Sequence, residues 1–148
     1  MTATDVEIAE RLSRQRAWLL PVLAVIFLSG QAIYALGPHW ASRSVDQLKV
    51  AAWLLWAAAL LFLLATGGAP FRSREVRALL DDETTRRHRA LAYAVGFWIA
   101  IAVSMGIYLL TAFDGVKPRE SIHVIVTAAI AGALVSFGIL EHRAHRDG

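Results

Sequence analysis

The 148-residue chain contains no cysteine, and this excludes several chemistries at once. Disulfide bonds, iron–sulfur clusters, thiolate zinc sites and thiol nucleophiles all need that residue. The chain also lacks a glycine-rich phosphate-binding loop, an HExxH metal-binding pair and a GxSxG nucleophile motif. Its other residues offer no recognisable set of nucleophile, base and oxyanion-stabilising donors. We therefore expect a protein that is not an enzyme and that holds no metal or cofactor.

Charge is also scarce, because charged residues make up only 18% of the chain and hydrophobic residues 57%. This is too apolar for an ordinary soluble domain. Between the charged blocks lie four apolar segments, each close to the 20 or so residues that a helix needs to cross roughly 30 Å of hydrocarbon. The pattern predicts membrane-spanning helices at 17–36, 50–66, 90–113 and 122–140. No Ala-x-Ala site follows the first segment, so we expect a retained span and not a cleaved signal peptide.

The four segments are continuously apolar and do not alternate, which favours helices over a transmembrane barrel. The longest polar connection, residues 67–89, is too short to form a core of its own. We therefore predict an all-α fold, in which the whole chain forms one integral membrane domain, an antiparallel four-helix bundle. A cytoplasmic juxtamembrane helix at about 75–89 precedes the third span.

Arginine and lysine are distributed unequally between the connections, and this sets the predicted orientation. Eleven of the fifteen precede the first span, join the second span to the third, or follow the fourth. The other four are Arg43, Lys49, Lys117 and Arg119. Both termini of this multi-pass protein should therefore be cytoplasmic. The net charge of +3 reflects this topology and contact with anionic lipid headgroups, so we expect the lipid bilayer as a partner and no direct nucleic-acid binding.

The stretch RALLDDETTRRHRALAYAVGFW, residues 77–98, carries acidic and then basic residues directly before the third span. Acids placed four residues before arginines favour a helix, by about 0.3–0.5 kcal/mol per exposed pair. The simplest interpretation is a solvated helix that also anchors the span. The alternative is a surface that contacts a partner protein or lipid headgroups. The residues assigned to that contact are Asp82, Glu83, Arg86, Arg87 and Arg89.

Part of this stretch resembles a group of bacterial proteins. The run Leu80-Asp81-Asp82-Glu83-Thr84-Thr85-Arg86, followed by Arg89-Ala90 and Gly96-Phe97, is similar to the juxtamembrane pattern of small inner-membrane proteins with four predicted spans. Similar segments occur in domains of unknown function, some of which are encoded beside helix-turn-helix regulators. The resemblance is confined to residues 80–97. It implies a bacterial inner-membrane protein and favours a regulatory role.

Two classes of function remain. The first is a non-catalytic interaction or regulatory protein, with a cytosolic or membrane protein as its partner. The second is a small oligomeric channel or transporter component with a pore lined by hydroxyl groups. No predicted span has an ionisable residue at its centre, which disfavours coupled transport. The polar residues within the spans should bond between helices or to backbone carbonyls; they are Ser29, Gln31, Ser104, Tyr108, Thr127 and Ser136.

A haem-binding electron carrier is a third interpretation, because histidines fall near both membrane faces. His39 and His123 should meet at the outer side, and His88 and His142 at the inner side. All four lie at span ends or in loops, where histidine needs no ligand. We therefore expect no haem.

Small residues recur every four positions in the fourth span, at Ala128, Gly132 and Ser136. Helices in lipid associate largely through close backbone approach, which small residues permit. We expect this stripe to pack against another span of the same chain. The candidate matching positions are Ser29, Gly30, Ala102 and Gly106. A seam between two copies, giving a homo-oligomer, is the alternative.

Overall fold

The computed structural model describes residues 3–36, 43–67, 83–113, 115 and 117–147. Over these residues the chain forms four α-helices and no strand, which confirms the predicted all-α class. Helix α1 covers Ala3–Leu36, α2 covers Arg43–Ala65, α3 covers Glu83–Leu110 and α4 covers Pro118–Asp147.

Three of these helices contain segments long and apolar enough to cross a membrane: Gln47–Ala65, Glu83–Leu110 and Pro118–Ala144. Even the shortest of them, with 19 residues, measures about 28 Å at a rise of 1.5 Å per residue. The described part of α1 contributes a shorter apolar segment, Ala17–Gln31. Helices of this length and composition are those of a membrane protein.

The helices do not end where the apolar segments end. Helix α3 begins at Glu83, so residues 83–89 are helical and continuous with the third predicted span. Helix α4 continues to Asp147, past the predicted end of its span. Helix α1 runs through Pro21. Residues 75–82 of the predicted juxtamembrane helix lie outside the described residues, and so does His39.

Helix α4 makes most of the contacts between helices. It packs against α1 and α3 over much of its length and against α2 over a shorter distance, whereas the described parts of the other three contact one another little. One buried apolar core includes residues of all four helices: Leu20, Ala24, Phe27, Ala57, Leu60, Leu64, Ala92, Ile130, Ala131, Ala133, Leu134 and Phe137. Many other large apolar side chains are exposed, as expected where helices face lipid tails.

Contacts between α1 and α4 lie at two levels. At one level, Ala17 and Pro21 of α1 lie against Gly138 of α4. At the other level, Gln31 of α1 contacts His123 of α4. The early part of α1 therefore pairs with the late part of α4.

Contacts between α3 and α4 follow the same order. His88, near the start of α3, contacts Glu141, near the end of α4. Further along α3, Ile99 lies against Gly132. We call the end of the helix assembly that holds His88 and Glu141 the Glu141 end, and the end that holds His123 the His123 end.

Candidate functional site: polar clusters at the two ends of the core

The buried face of α4 is apolar in the middle and polar at both ends. Five residues of this face are at most 4% exposed, and they follow one another at alternating spacings of three and four residues: Thr127, Ile130, Leu134, Phe137 and Glu141. This spacing keeps one face of a helix against its neighbours. His123 continues it one step earlier and is partly buried. Polar side chains thus close the apolar core at each end.

At the Glu141 end, a buried carboxylate meets a histidine. Nδ1 of His88 lies 3.0 Å from Oε1 of Glu141, and the two side chains are 13% and 4% exposed. A buried carboxylate is costly unless it is hydrogen-bonded or paired, and His88 supplies one such partner. Thr85, one turn before His88, is also buried. The pair joins α3 to α4 where the core ends.

Arg89 connects α2 to α3 at the same end. Its Nη1 donates a hydrogen bond to the carbonyl oxygen of Ala65, at 2.8 Å. Ala65 is the last residue of α2, and the final carbonyls of a helix have no partner within it. Just beyond, Gly67 adopts a φ of 63°, and its N–H donates to the carbonyl of Leu64 at 3.2 Å. A side chain from α3 therefore helps to cap α2.

The residues assigned from sequence to partner or lipid contact fall into two groups. Glu83, Arg86 and Arg87 are exposed in the first turns of α3. Arg89 is partly buried and engaged with α2. Asp82 lies outside the described residues. The exposed charges of α3 are therefore adjacent to the buried pair of the Glu141 end.

At the His123 end, four side chains from three helices form a second cluster. Nε2 of His123 contacts Oε1 of Gln31. The ring of His123 stacks on that of Trp53 in α2, with 4.3 Å between centroids and 26° between planes. Nε1 of Trp53 donates to Oγ1 of Thr127 at 3.3 Å. The cluster links α1, α2 and α4 and gives Gln31 a partner within the protein.

Other hydroxyl groups of the spans bond to their own helices. The Ser29 hydroxyl donates to the carbonyl of Val25 at 2.8 Å, and the Ser104 hydroxyl donates to that of Ala100 at 2.7 Å. Together with the bonds of Gln31 and Thr127, these contacts confirm that the four residues bond between helices or to carbonyls.

The structure changes the expected pairing of histidines. His142 is exposed, and the partner of His88 is Glu141. Successive residues of a helix are rotated by about 100°, and here Glu141 lies on the buried face while His142, the next residue, points away from it. Among the described residues, no group of three or more His, Asp and Glu side chains is placed to hold a metal ion.

Close approach between α3 and α4 involves two glycines. A Cβ at Gly132, the middle residue of the small-residue stripe, would overlap the end of the Ile99 side chain. A Cβ at Gly96 would lie 2.9 Å from the carbonyl oxygen of Ala129 and 3.1 Å from Cβ of Ala133. Gly132 therefore faces a helix of the same chain.

A third glycine brings α4 close to α1. A Cβ at Gly138 would overlap the ring of Pro21 and lie 3.2 Å from the carbonyl oxygen of Ala17. In a regular helix the N–H of residue 21 would donate a hydrogen bond to the carbonyl of Ala17, but proline has no N–H. The carbonyl oxygen of Ala17, which cannot receive a hydrogen bond from the nitrogen of Pro21, thus lies beside a residue that has no side chain.

The positions on the first and third spans that were expected to pack against the small-residue stripe are not the ones that do so in the structure. A Cβ at Gly30 or Gly106 would have no atom within 4 Å, so neither glycine is at a helix contact. The close approaches lie between the middle of α4, at Gly132, and the Glu141 end, at Gly138. In the stripe itself, Ala128 and Ser136 are partly buried.

Sequence reasoning missed Glu141, because it follows the apolar segment and reads as part of a polar tail. The signal that could have found it is the spacing of the buried face, since Glu141 lies seven residues after Leu134 and four after Phe137. It also missed the capping role of Arg89, for which the sequence carries no local signal.

Comparison with known proteins adds no family to this description. No protein-family model, curated protein or solved structure matches the chain. What the chain does must therefore be inferred from the membrane-spanning helices, the two polar clusters and the exposed charges beside one of them.

Proposed function

We propose that the protein is a non-catalytic component of a bacterial inner membrane that acts through contact. It spans the bilayer four times and presents a charged cytoplasmic end to a partner protein or to lipid headgroups. The observation that carries this proposal is the exposure of Glu83, Arg86 and Arg87 directly beside the buried contact between His88 and Glu141. The charged surface is held on a helix whose position is set by packing.

The contacts between helices support an antiparallel arrangement. The pairs that set the directions are Ala17 with Gly138, Gln31 with His123, His88 with Glu141, Ile99 with Gly132, and Arg89 with Ala65. They favour α1 and α3 running opposite to α4, and α2 running opposite to α3. In that arrangement each connection joins neighbouring ends, as short connections require.

The charge distribution favours a cytoplasmic Glu141 end. Among the residues that the structure describes, the exposed arginines at this end are Arg11, Arg14, Arg86, Arg87, Arg143 and Arg146. Exposed basic residues towards the His123 end are Lys49, Lys117 and Arg119. Basic residues in short connections are retained on the cytoplasmic side. The resemblance of residues 80–97 to bacterial inner-membrane proteins supports the bacterial inner membrane as the location.

A channel or transporter component is the second candidate function, and fewer observations support it. The middle of the core is filled by Phe27, Leu134 and Phe137, which are at most 1% exposed. The Ser29 and Ser104 hydroxyls bond to their own helices. A pore would therefore have to form between several copies of the chain.

Exchange of two exposed charges tests the proposed contact. Glu83→Arg combined with Arg87→Glu keeps the net charge and the one-turn spacing but inverts the surface. With a photocrosslinking residue at Thr84, we expect wild-type protein in native membranes to yield discrete crosslinks, and the exchanged variant to lose most of them while still inserting.

The matched control lies at the other end. Nζ of Lys117 and Oε1 of Glu120 form an exposed ion pair, 3.4 Å apart. Exchanging these two charges should leave the crosslinks at Thr84 unchanged. Crosslinks that survive the exchange at Glu83 and Arg87 would show that the charged start of α3 does not select a partner.

A further inference from the structure

We propose that the exposed arginines of the Glu141 end form a ring that binds the phosphates of anionic phospholipids. The inference rests on the proposed function, because it assigns a ligand class to the charged cytoplasmic end. The members of the ring come from α1, α3 and α4: Arg11, Arg14, Arg86, Arg87, Arg143 and Arg146.

The ring occupies one narrow layer of the protein. The contacts of Ala17 with Gly138 and of His88 with Glu141 place the three helices on a common scale. At a rise of 1.5 Å per residue, the six arginines fall within about 8 Å of one another along the helix axes. They can therefore all reach the same depth of a bilayer.

Two exposed aromatic residues lie in the adjoining layer. Trp18 and Tyr93 are 72% and 44% exposed. On the same scale, they lie about 6–15 Å from the arginines, towards the middle of the helices. Tryptophan and tyrosine prefer the boundary between headgroups and hydrocarbon. The arginines therefore lie where the phosphates begin.

The opposite end gives a consistent thickness. Along α4, Arg119 and Arg143 are about 36 Å apart at the usual helical rise. The hydrocarbon region measures roughly 30 Å. Because about 36 Å exceeds this thickness, the two exposed residues can both lie just outside the hydrocarbon, one in each headgroup layer.

All basic residues assigned to the cytoplasmic side are arginines, and this favours phosphate as the ligand. The only lysines in the chain, Lys49 and Lys117, both belong to the His123 end, so every basic residue assigned to the cytoplasmic side is arginine. Retention on that side requires a positive charge and is satisfied by either residue type. A guanidinium group forms two parallel hydrogen bonds to a phosphate, whereas an ammonium group acts as a point charge. Binding of phosphate accounts for the choice.

Neighbouring apolar side chains favour a lipid over free phosphate. Leu19 and Leu91 are 44% and 45% exposed and lie just inside the ring. A molecule that places its phosphate on the arginines can lay its acyl chains along these leucines. Anionic phospholipids suit the ring best, because no cationic headgroup neutralises their phosphate charge.

Purified protein and defined lipids test the inference. Native mass spectrometry should detect phosphatidylglycerol bound to the wild-type protein in preference to phosphatidylcholine, and millimolar inorganic phosphate should not displace it. The test variant replaces Arg86, Arg87, Arg143 and Arg146 by lysine, which keeps every charge. We expect it to insert normally and to bind phosphatidylglycerol about tenfold more weakly, because the paired hydrogen bonds are lost. Arg119→Lys, at the other end, is the matched control and should bind as the wild type.

Equal binding by the lysine variant and the wild type would overturn the proposal, since the ring would then act through charge alone. Equal retention of the two lipids, or displacement by inorganic phosphate, would also overturn it. The assay contains no partner protein, so its failure leaves the crosslinks at Thr84 as a separate result. If the wild type shows no lipid preference but its crosslinks at Thr84 are still lost on the charge exchange, the ring alone is rejected. If the lipid preference is present but the crosslinks survive the exchange, the partner contact alone is rejected.

Discussion

His88 and Glu141 are in hydrogen-bonding contact across 53 residues of sequence, with 3.0 Å between Nδ1 and Oε1. The pair lies at one end of a core whose middle is apolar. A shift of α4 by one residue would bring Leu140 or His142 to the position of the carboxylate. Apolar contacts tolerate such a shift better than a polar pair does, so we expect the pair to select one register between α3 and α4.

His88→Ala should destabilise the folded protein by about 1–3 kcal/mol, because it removes a buried hydrogen bond from a carboxylate. Glu141→Gln keeps an acceptor and should cost less. Unfolding in mixed detergent micelles measures both effects, and the double variant gives their coupling. A coupling energy near zero would show that the contact does not contribute to stability.

Replacement of glycine by alanine should have graded effects that follow the nearest neighbouring atoms. Gly138→Ala and Gly96→Ala meet a proline ring or backbone that cannot move away, and each should cost about 1–3 kcal/mol. Gly132→Ala should cost less, because the Ile99 side chain can rotate.

Gly106→Ala is the matched control, since a Cβ there has open space around it. It should be neutral or stabilise the helix by up to about 1 kcal/mol. Thermal unfolding in detergent compares the four variants. Equal destabilisation by all of them would contradict the helix contacts described above.

The proposed orientation predicts the accessibility of single cysteines in this cysteine-free chain. A membrane-impermeant thiol reagent applied to intact cells should label Gly115→Cys and should label Ala144→Cys only after the membrane is permeabilised. Both positions are exposed, so burial does not obscure the comparison. Labelling in the opposite order would place the Glu141 end outside.

Arg89→Gln should loosen the end of α2 by about 0.5–1.5 kcal/mol, because the hydrogen bond from the guanidinium to the carbonyl of Ala65 is weakened. Hydrogen exchange of residues 62–67 should become faster, whereas exchange in the middle of α3 should not change. Arg87→Gln removes an exposed arginine two residues away and is the control. Equal exchange in both variants would show that Arg89 does not cap α2.

The local sequence was sufficient to predict where helices occur, but it was insufficient to predict the contacts between them. Apolar segments of spanning length predict where helices occur, because a membrane leaves the backbone few other structures. Charged residues at helix ends remain helical, so α4 extends to Asp147 although its apolar segment ends earlier. The partner of a helix depends on its rotation and tilt, which the apolar pattern of a lipid-exposed helix defines poorly.

The glycines and Glu141 illustrate this difference. Gly30, Gly96, Gly106 and Gly138 all lie in apolar helices, but only two of them contact another helix. Nothing local distinguishes these two. Glu141 could have been assigned to the core from its spacing after Phe137, whereas the contact of Arg89 with Ala65 depends on how two helices meet.

The central position of α4 has a consequence for biogenesis. Helix α4 is the last of the four to be synthesised, and the described parts of α1, α2 and α3 contact one another little without it. Roughly 90 to 120 residues separate the contact residues of α1 from those of α4, which at 5–20 residues per second takes the ribosome about 5–24 s. During that interval Leu20 and Phe27 have lipid or an insertion factor against them in place of the core. Assembly therefore depends on one late event, the arrival of α4, and until then the earlier helices are accessible to the quality-control machinery of the membrane.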